Sequence, residues 1–284
     1  MFRILIIAVA CAMIVGCSST KLAYRYADWG IVWWVDDFIP MTSEQESRLE
    51  QDIRNLRDWH CSTELPRYSE WLTELKQDVH SNNLELPRVS YHQDQLVSFF
   101  PPLADQAKPA AVRLLSSLSD RQVRELADNM ARSQEAKEEE FLAEDPEQTR
   151  QARAERTRDR VEGWLGSLNS GQADIIEQWS EARGRQTEIW LEGRRNWQQA
   201  LLEALEQRNE ADFAEKIDYL IDNNDEVRGP RYQQMMAESS DAMTGLMTAL
   251  LQEADQRHLD HLLERAAGLK SDFNELACNR QASG

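Results

Sequence analysis

The chain has 284 residues and a formal charge of −18, with 50 acidic side chains against 32 basic ones. Such a surface repels nucleic acid and, over most of its area, anionic lipid, so charge supports neither as a partner. Nine Trp residues in a chain that is 41% hydrophobic exclude a disordered polymer, and the length suffices for one large or two small domains with a real core.

The N-terminus reads Met1-Phe2-Arg3 and then an apolar run from Ile4 to Val15, too short to span a bilayer and of the length of a secretory signal. It ends in Ile14-Val15-Gly16-Cys17, which resembles the lipobox of bacterial lipoproteins. Cleavage needs a small residue before the cut, and the thiol of Cys17 carries the lipid. The expected division is therefore a signal peptide over 1–16, a lipidated Cys17 with a short tether over 17–21, and a helical body over 22–284. Lipid on Cys17 is the only non-protein group expected; no other cofactor is implied. Several acyl chains hold far better than one, so the membrane is the expected partner through this anchor. Asp after the Cys is the usual inner-membrane retention signal; Ser18 instead resembles default sorting to the outer membrane, on its periplasmic face.

Cys11 leaves with the signal and Cys17 is lipidated, so Cys61 and Cys278 remain as thiols. In an oxidising compartment the simplest expectation is a bond between them, closing a very long loop. Two separate buried thiols are the competing reading. Neither cysteine belongs to a Cys-x-x-Cys pair, which argues against redox catalysis.

Beyond the signal, apolar residues recur with helical period and no stretch alternates as a strand does, so the expected fold is all-α, an elongated multi-helix bundle. The first helix covers about 22–37 and is crowded by Tyr24, Tyr26, Trp29, Trp33, Trp34 and Phe38, with Pro40 stopping it. Further helices are expected over 42–60, 66–79 (opened by Pro66), and 87–100, where Pro101-Pro102 forces a break. A kinked helix to 117 follows, then 120–144, 146–167, 170–208, 210–222 and, after Gly229-Pro230, 231–276. The body is either one unit or two lobes meeting near 118–146.

One local pattern recurs at Met41-Thr42-Ser43-Glu44-Gln45, Leu118-Ser119-Asp120-Arg121-Gln122 and Leu168-Asn169-Ser170-Gly171-Gln172. A capping side chain accepts from an early helical N–H, and the Gln three residues on reaches back to the cap's own N–H. The unequal spacing makes this a reused helix start and not a solenoid repeat.

Tyr24-Arg25-Tyr26-Ala27-Asp28-Trp29, Trp34-Val35-Asp36-Asp37-Phe38, Thr42-Ser43-Glu44-Gln45, Trp59-His60 and Glu64-Leu65-Pro66-Arg67-Tyr68 together resemble a group of proteobacterial lipoproteins, the DUF6279 family of unknown function. The likeness extends to 160–168 and 190–197 and so covers most of the mature chain. It implies a helical lipoprotein and transfers no catalytic residue. The repeated caps also resemble the Leu-Thr-x-x-Gln motifs of periplasmic chaperones of the Spy and CpxP type, although this acidic chain is much longer.

Asp36-Asp37 with His60 invites a metal or acid–base reading, but adjacent helical side chains point about 100° apart, which favours solvation of a helix end. His258 and His261 are three apart and could share a metal with Asp255 or Glu264, yet solvent-facing histidines on a polar helix are the expectation. Arg150, Arg153, Arg156, Arg158 and Arg160 are interspersed with Glu155, Asp159 and Glu162, which suits interhelical ion pairs. Arg194-Arg195 between Trp190 and Trp197 suits a helix that packs through its Trp residues and extends its Arg side chains to solvent. Trp29, Trp33 and Trp34 form a candidate membrane-proximal aromatic surface. Burial in the bundle is the favoured reading there, since Asp28, Asp36 and Asp37 suit anionic lipid poorly. No Gly-x-Ser-x-Gly, P-loop or dinucleotide fingerprint is present.

The leading expectation is a non-enzymatic outer-membrane lipoprotein whose helical body binds another envelope protein or serves as a structural element, with no nucleic-acid partner. A periplasmic holdase and an envelope enzyme with a carboxylate or His site are the alternatives. Composition fixes no oligomeric state.

Overall fold

A computed structural model describes residues 16–142 and 145–278, and every regular element among them is a helix. All but Gly16 of the expected signal peptide lies outside the described residues, as do the side chains of residues 16–19, including that of Cys17. Two short helices, α1 (Gly16–Arg25) and α2 (Ala27–Asp36), lead into α3 (Ser43–His80). Next come α4 (Leu86–Ser98), α5 (Phe100–Ser116), α6 (Asp120–Phe141), α7 (Pro146–Leu165) and α8 (Ser170–Ala182). The chain ends with α9 (Gln186–Glu206), α10 (Phe213–Asp222), the single turn α11 (Asn224–Val227), α12 (Pro230–Gln252) and α13 (Gln256–Leu276).

Helix α3 is the spine. Its 38 residues span about 57 Å at 1.5 Å per residue. The sequence suggested two helices here, the second opened by Pro66, but the helix runs straight through that proline. Pro66 deprives the Ser62 carbonyl of its usual donor. Continuous burial of Cys61, Leu65 and Leu72 on either side of the proline outweighs that loss. Helix α13 packs along α3, and α2 and α5 also lie on it.

Three expected helices are each divided. The 170–208 span breaks at Arg183-Gly184-Arg185, where Gly184 takes φ +46°. The 231–276 span breaks at Glu253-Ala254-Asp255, because Asp255 caps a fresh helix. The single first helix expected over 22–37 is likewise two, offset at Tyr26.

Two main apolar clusters fill the bundle. One joins Leu126 and Met130 of α6, Leu201 and Leu205 of α9, and Ile217 and Leu220 of α10. The other joins Val79 of α3, Ala154 and Leu165 of α7, Ile176 of α8, Leu246 and Leu250 of α12, and Leu262 of α13. Both draw on segments before and after 118–146, since Ile39 belongs to the first and Val79 to the second. A smaller cluster of Val32, Leu49 and Ile53 seats α2 on α3.

The capping motifs hold these clusters together. Each expected capping box forms at Thr42, Ser119 and Asn169, and a fourth forms at Asp255 with His258 in the Gln position. The Gln side chain then uses its amide nitrogen on another element. Gln45 donates to the Ser117 carbonyl at 3.1 Å, two residues before the Ser119 cap. Gln122 donates to the Pro40 carbonyl at 3.0 Å, two residues before the Thr42 cap. The second pair repeats the geometry: Asn169 donates to the Glu253 carbonyl at 3.1 Å, and Nε2 of His258 lies 3.1 Å from the Ser167 carbonyl. Gln172 adds a bond of 3.2 Å to the Leu250 carbonyl. Each pair of helix starts is thus clasped reciprocally. Because Gln122, Gln172 and His258 are buried, removing one leaves a carbonyl without its donor, at about 1–3 kcal/mol.

Cys61 and Cys278 are joined by a disulfide across a sequence separation of 217. The Cys278 amide also donates to the Cys61 carbonyl at 3.1 Å. The bond ties the chain end just past α13 to the middle of α3.

Candidate functional site

The N-terminal helices have one committed side and one open side. On the committed side, Lys21 pairs with Glu275 and, at 3.4 Å, with Asp272 of α13. Burial keeps the Asp272 carboxyl above its ordinary range despite that ammonium. Tyr24 packs against His60, with its hydroxyl 3.1 Å from Nδ1 and 3.3 Å from the Arg57 carbonyl. Tyr68 meets the other ring nitrogen at 3.3 Å. Burial pushes both phenols up to about 12. It also lowers the His60 imidazole, against an opposing pull from Glu64. A neutral ring suits the geometry: Nδ1–H donates to Tyr24, and Nε2 accepts from Tyr68. Asp28 is turned inward onto Arg57 at 3.3 Å, and Val32 is buried against Leu49 and Ile53.

The open side is aromatic. Hydrogen bonds from Tyr26 N–H to the Leu22 carbonyl (3.1 Å) and from Gly30 N–H to the Tyr26 carbonyl (3.0 Å) carry helical register across the offset between α1 and α2. At about 100° per residue, Leu22, Tyr26, Trp29 and Trp33 fall within a narrow arc. Leu22, Tyr26 and Trp29 are 59%, 57% and 68% exposed, and the half-buried Trp33 ring stacks on Trp29 with centroids 6.4 Å apart. The favoured expectation of burial is therefore corrected for Trp29, because α2 packs chiefly on α3 and buries only the side that faces it. Trp34 points elsewhere and packs on Phe38, centroids 5.4 Å apart. Of the three tryptophans singled out in the sequence, two join the stripe and the third leaves it. Tyr26 and Leu22 were the missed members, and an i, i+4, i+7, i+11 count from Leu22 would have found them.

The other candidates are occupied by structure. Oδ1 of Asp36 accepts the Met41 amide at 3.1 Å and so braces the turn around Pro40, while Asp37 is the C-cap of α2. The expectation that the two histidines of α13 face solvent is overturned. His258 is fully buried in its cap, with Nδ1 set against the Asp255 amide (3.1 Å) and carboxylate (2.7 Å). His261 is half-buried, with Nδ1 3.0 Å from the Trp164 carbonyl. Among the described residues, no group of three or more His, Cys, Asp or Glu side chains could hold a metal ion. Arg150 and Arg158 both pair with Glu177 of α8, and Arg153 donates to the Ser180 carbonyl. These are the interhelical ties the mixed charges suggested. Arg194 donates to Gln134 and Ser133, and Trp197 donates to the Leu220 carbonyl at 3.0 Å.

One buried polar network was not foreseen. Asp78 accepts from Asn83, Arg88 and His92 where the chain turns from α3 to α4 around Asn82, whose φ is +53°. Burial alone pushes Asp78 up, but the three donors more than offset it and hold the carboxyl below its usual range. A cleft of about 620 Å³ opens between α7 and α13 beside Thr20, lined by Asp159, Glu162, Glu264 and Arg265. Its mixed charges define no reaction.

An all-helical bundle closed by reciprocal caps, stapled by one disulfide and open along one aromatic stripe, is the class of protein these observations define. More particularly, the model of a family of unknown function, DUF6279, matches residues 37–233, more than half of the chain, and the chain belongs to that family. The matched stretch begins just after α2 and ends in α12. No curated protein and no solved structure matches the chain.

Proposed function

We propose that this protein is a lipoprotein held by lipid on Cys17 at the periplasmic face of the outer membrane, with a non-enzymatic helical body that engages another envelope protein. The observation that carries the export half is the Cys61–Cys278 disulfide, because such bonds persist in oxidising compartments and are rare in the cytosol. It agrees with the Ile14-Val15-Gly16-Cys17 signal, and Ser18 favours sorting to the outer membrane. The non-enzymatic half rests on the engagement of the chemistry-bearing side chains. Asp36, His60 and His258 each serve packing or capping partners.

Growth with labelled palmitate tests the anchor. Label should enter the wild-type protein in the outer-membrane fraction and be lost with Cys17→Ala; an unlabelled wild-type protein refutes the anchor. Crosslinking in intact cells followed by mass spectrometry tests the body. A specific envelope protein should be recovered, and repeated recovery of none refutes the interaction role.

A further inference from the structure

We propose that the stripe formed by Leu22, Tyr26, Trp29 and Trp33 is a bilayer-docking surface, so that α1 and α2 lie in the headgroup region and fix the orientation of the body. The inference rests on the lipid-anchor reading and adds an orientation to it.

Proximity selects the occupant. Residues 17–21, expected as the lipidated Cys and a short tether, are part of α1, which begins at Gly16. Cys17 and Leu22 are therefore five residues apart on one helix, about 7.5 Å along its axis. A lipid on Cys17 brings the exposed stripe within reach of the headgroups without any flexible spacer. The chemistry fits the same occupant. Trp and Tyr rings favour the membrane–water interface, where an apolar body meets a polar edge, and an amphipathic helix binds there through its apolar face.

Charge is the obvious objection, since the chain is strongly acidic. Asp28, next to Trp29, is turned inward onto Arg57, and the exposed Asp36 and Asp37 follow Trp33 at the far end of the stripe from Cys17, where Asp36 accepts the Met41 amide. Arg25, beside Tyr26, is exposed and supplies the sign that anionic headgroups attract. The repulsive remainder of the body then favours a shallow, one-sided contact over broad adhesion.

Residue-resolved hydroxyl-radical footprinting tests the proposal on the lipidated mature protein in vesicles of phosphatidylethanolamine with a minority of phosphatidylglycerol. The reference is the mature chain carrying Cys17→Ser, free in buffer. Tyr26 and Trp29 should lose labelling by about fivefold or more, the size expected when exposed rings become interfacial. Phe100, 69% exposed at the corner between α4 and α5, should label equally in both. Equal labelling of Trp29 in the two samples overturns the proposal, and so does protection of Phe100 as strong as that of Trp29.

A second arm separates this proposal from the anchor itself. The Cys17→Ser chain should co-sediment weakly with the same vesicles, and a Tyr26→Ser/Trp29→Ser variant should bind about tenfold less. Its unfolding midpoint should be unchanged, which shows that the body is intact. Equal binding by the two chains overturns docking, even where palmitate labelling supports the anchor. Loss of palmitate labelling with this difference retained would refute only the anchor.

Discussion

Helices α2 and α9 have similar ingredients and put them to opposite uses. Each is rich in Trp and carries charge close to its aromatic residues. Helix α9 is surrounded by α6, α10, α11 and α12. There Trp197 reaches the Leu220 carbonyl, Trp190 meets Phe141 edge-on, and Arg194 is tied to α6. Helix α2 packs chiefly on α3, so Val32 is buried while Trp29 stays in solvent. Aromatic content alone does not tell core from surface. The number of neighbours decides, and a helix with one principal neighbour has a side left for something outside the fold.

Mutation can break that contrast, and the largest effects should fall on whatever holds the neighbours in place. Cys61→Ser/Cys278→Ser removes the closure of a loop whose sequence separation is 217, and should cost about 3–5 kcal/mol in denaturant unfolding under oxidising conditions. It also frees the end of α13, on which Lys21 is held, so protease cleavage within α1 should become easier. Trp197→Ala should cost about 3 kcal/mol, combining lost packing with an orphaned carbonyl. Gln172→Ala should cost about 1–3 kcal/mol, because the buried Gln172 serves both its own cap and Leu250. Gln172→Glu keeps the cap acceptor but not the donor and should recover only part of that loss.

The grip on α1 should also depend on pH. His60 has a lowered pKa in the fold, so the unfolded chain binds the proton more readily. Its contribution is therefore fully present above the ordinary imidazole value of about 6.5 and is lost as pH falls below that value and through the folded one. His92, lowered by burial although Asp78 pulls it up, acts with the same sign. Denaturant midpoints should drop between pH 7.5 and 5.5, and His60→Gln should flatten part of the slope. A midpoint independent of pH would contradict the neutral ring between Tyr24 and Tyr68.

The smallest effect sharpens the contrast most. Trp29→Ala should leave stability within about 0.5 kcal/mol, against several for Trp197→Ala. Similar losses at the two positions would mean that α2 is packed as α9 is.

Much of the bundle was legible because its signals are local. The caps at Thr42, Ser119 and Asn169 were readable from the cap residue and the Gln three positions later. Their reach to Ser117, Pro40 and Leu250 was not, because it depends on elements far away in the chain. The cap at Asp255 is hidden in the sequence because His258 stands where the other boxes have Gln. Pro66 looked like a helix start because the local rule is sound, and burial on both sides of it prevailed. In α2 the sequence Ile31-Val32-Trp33-Trp34-Val35 is apolar all round, so a count from Leu22 groups Trp29 and Trp33 on one face without telling whether a neighbouring helix covers it.

The most direct test of the outward face is quenching of tryptophan fluorescence by brominated lipid in vesicles bearing the lipidated mature protein. The stripe predicts clear quenching that Trp29→Phe weakens, Trp29→Phe/Trp33→Phe removes for the most part and Trp197→Phe leaves in place. Quenching that is absent, or that survives Trp29→Phe unchanged, would contradict a membrane-docked α1 and α2.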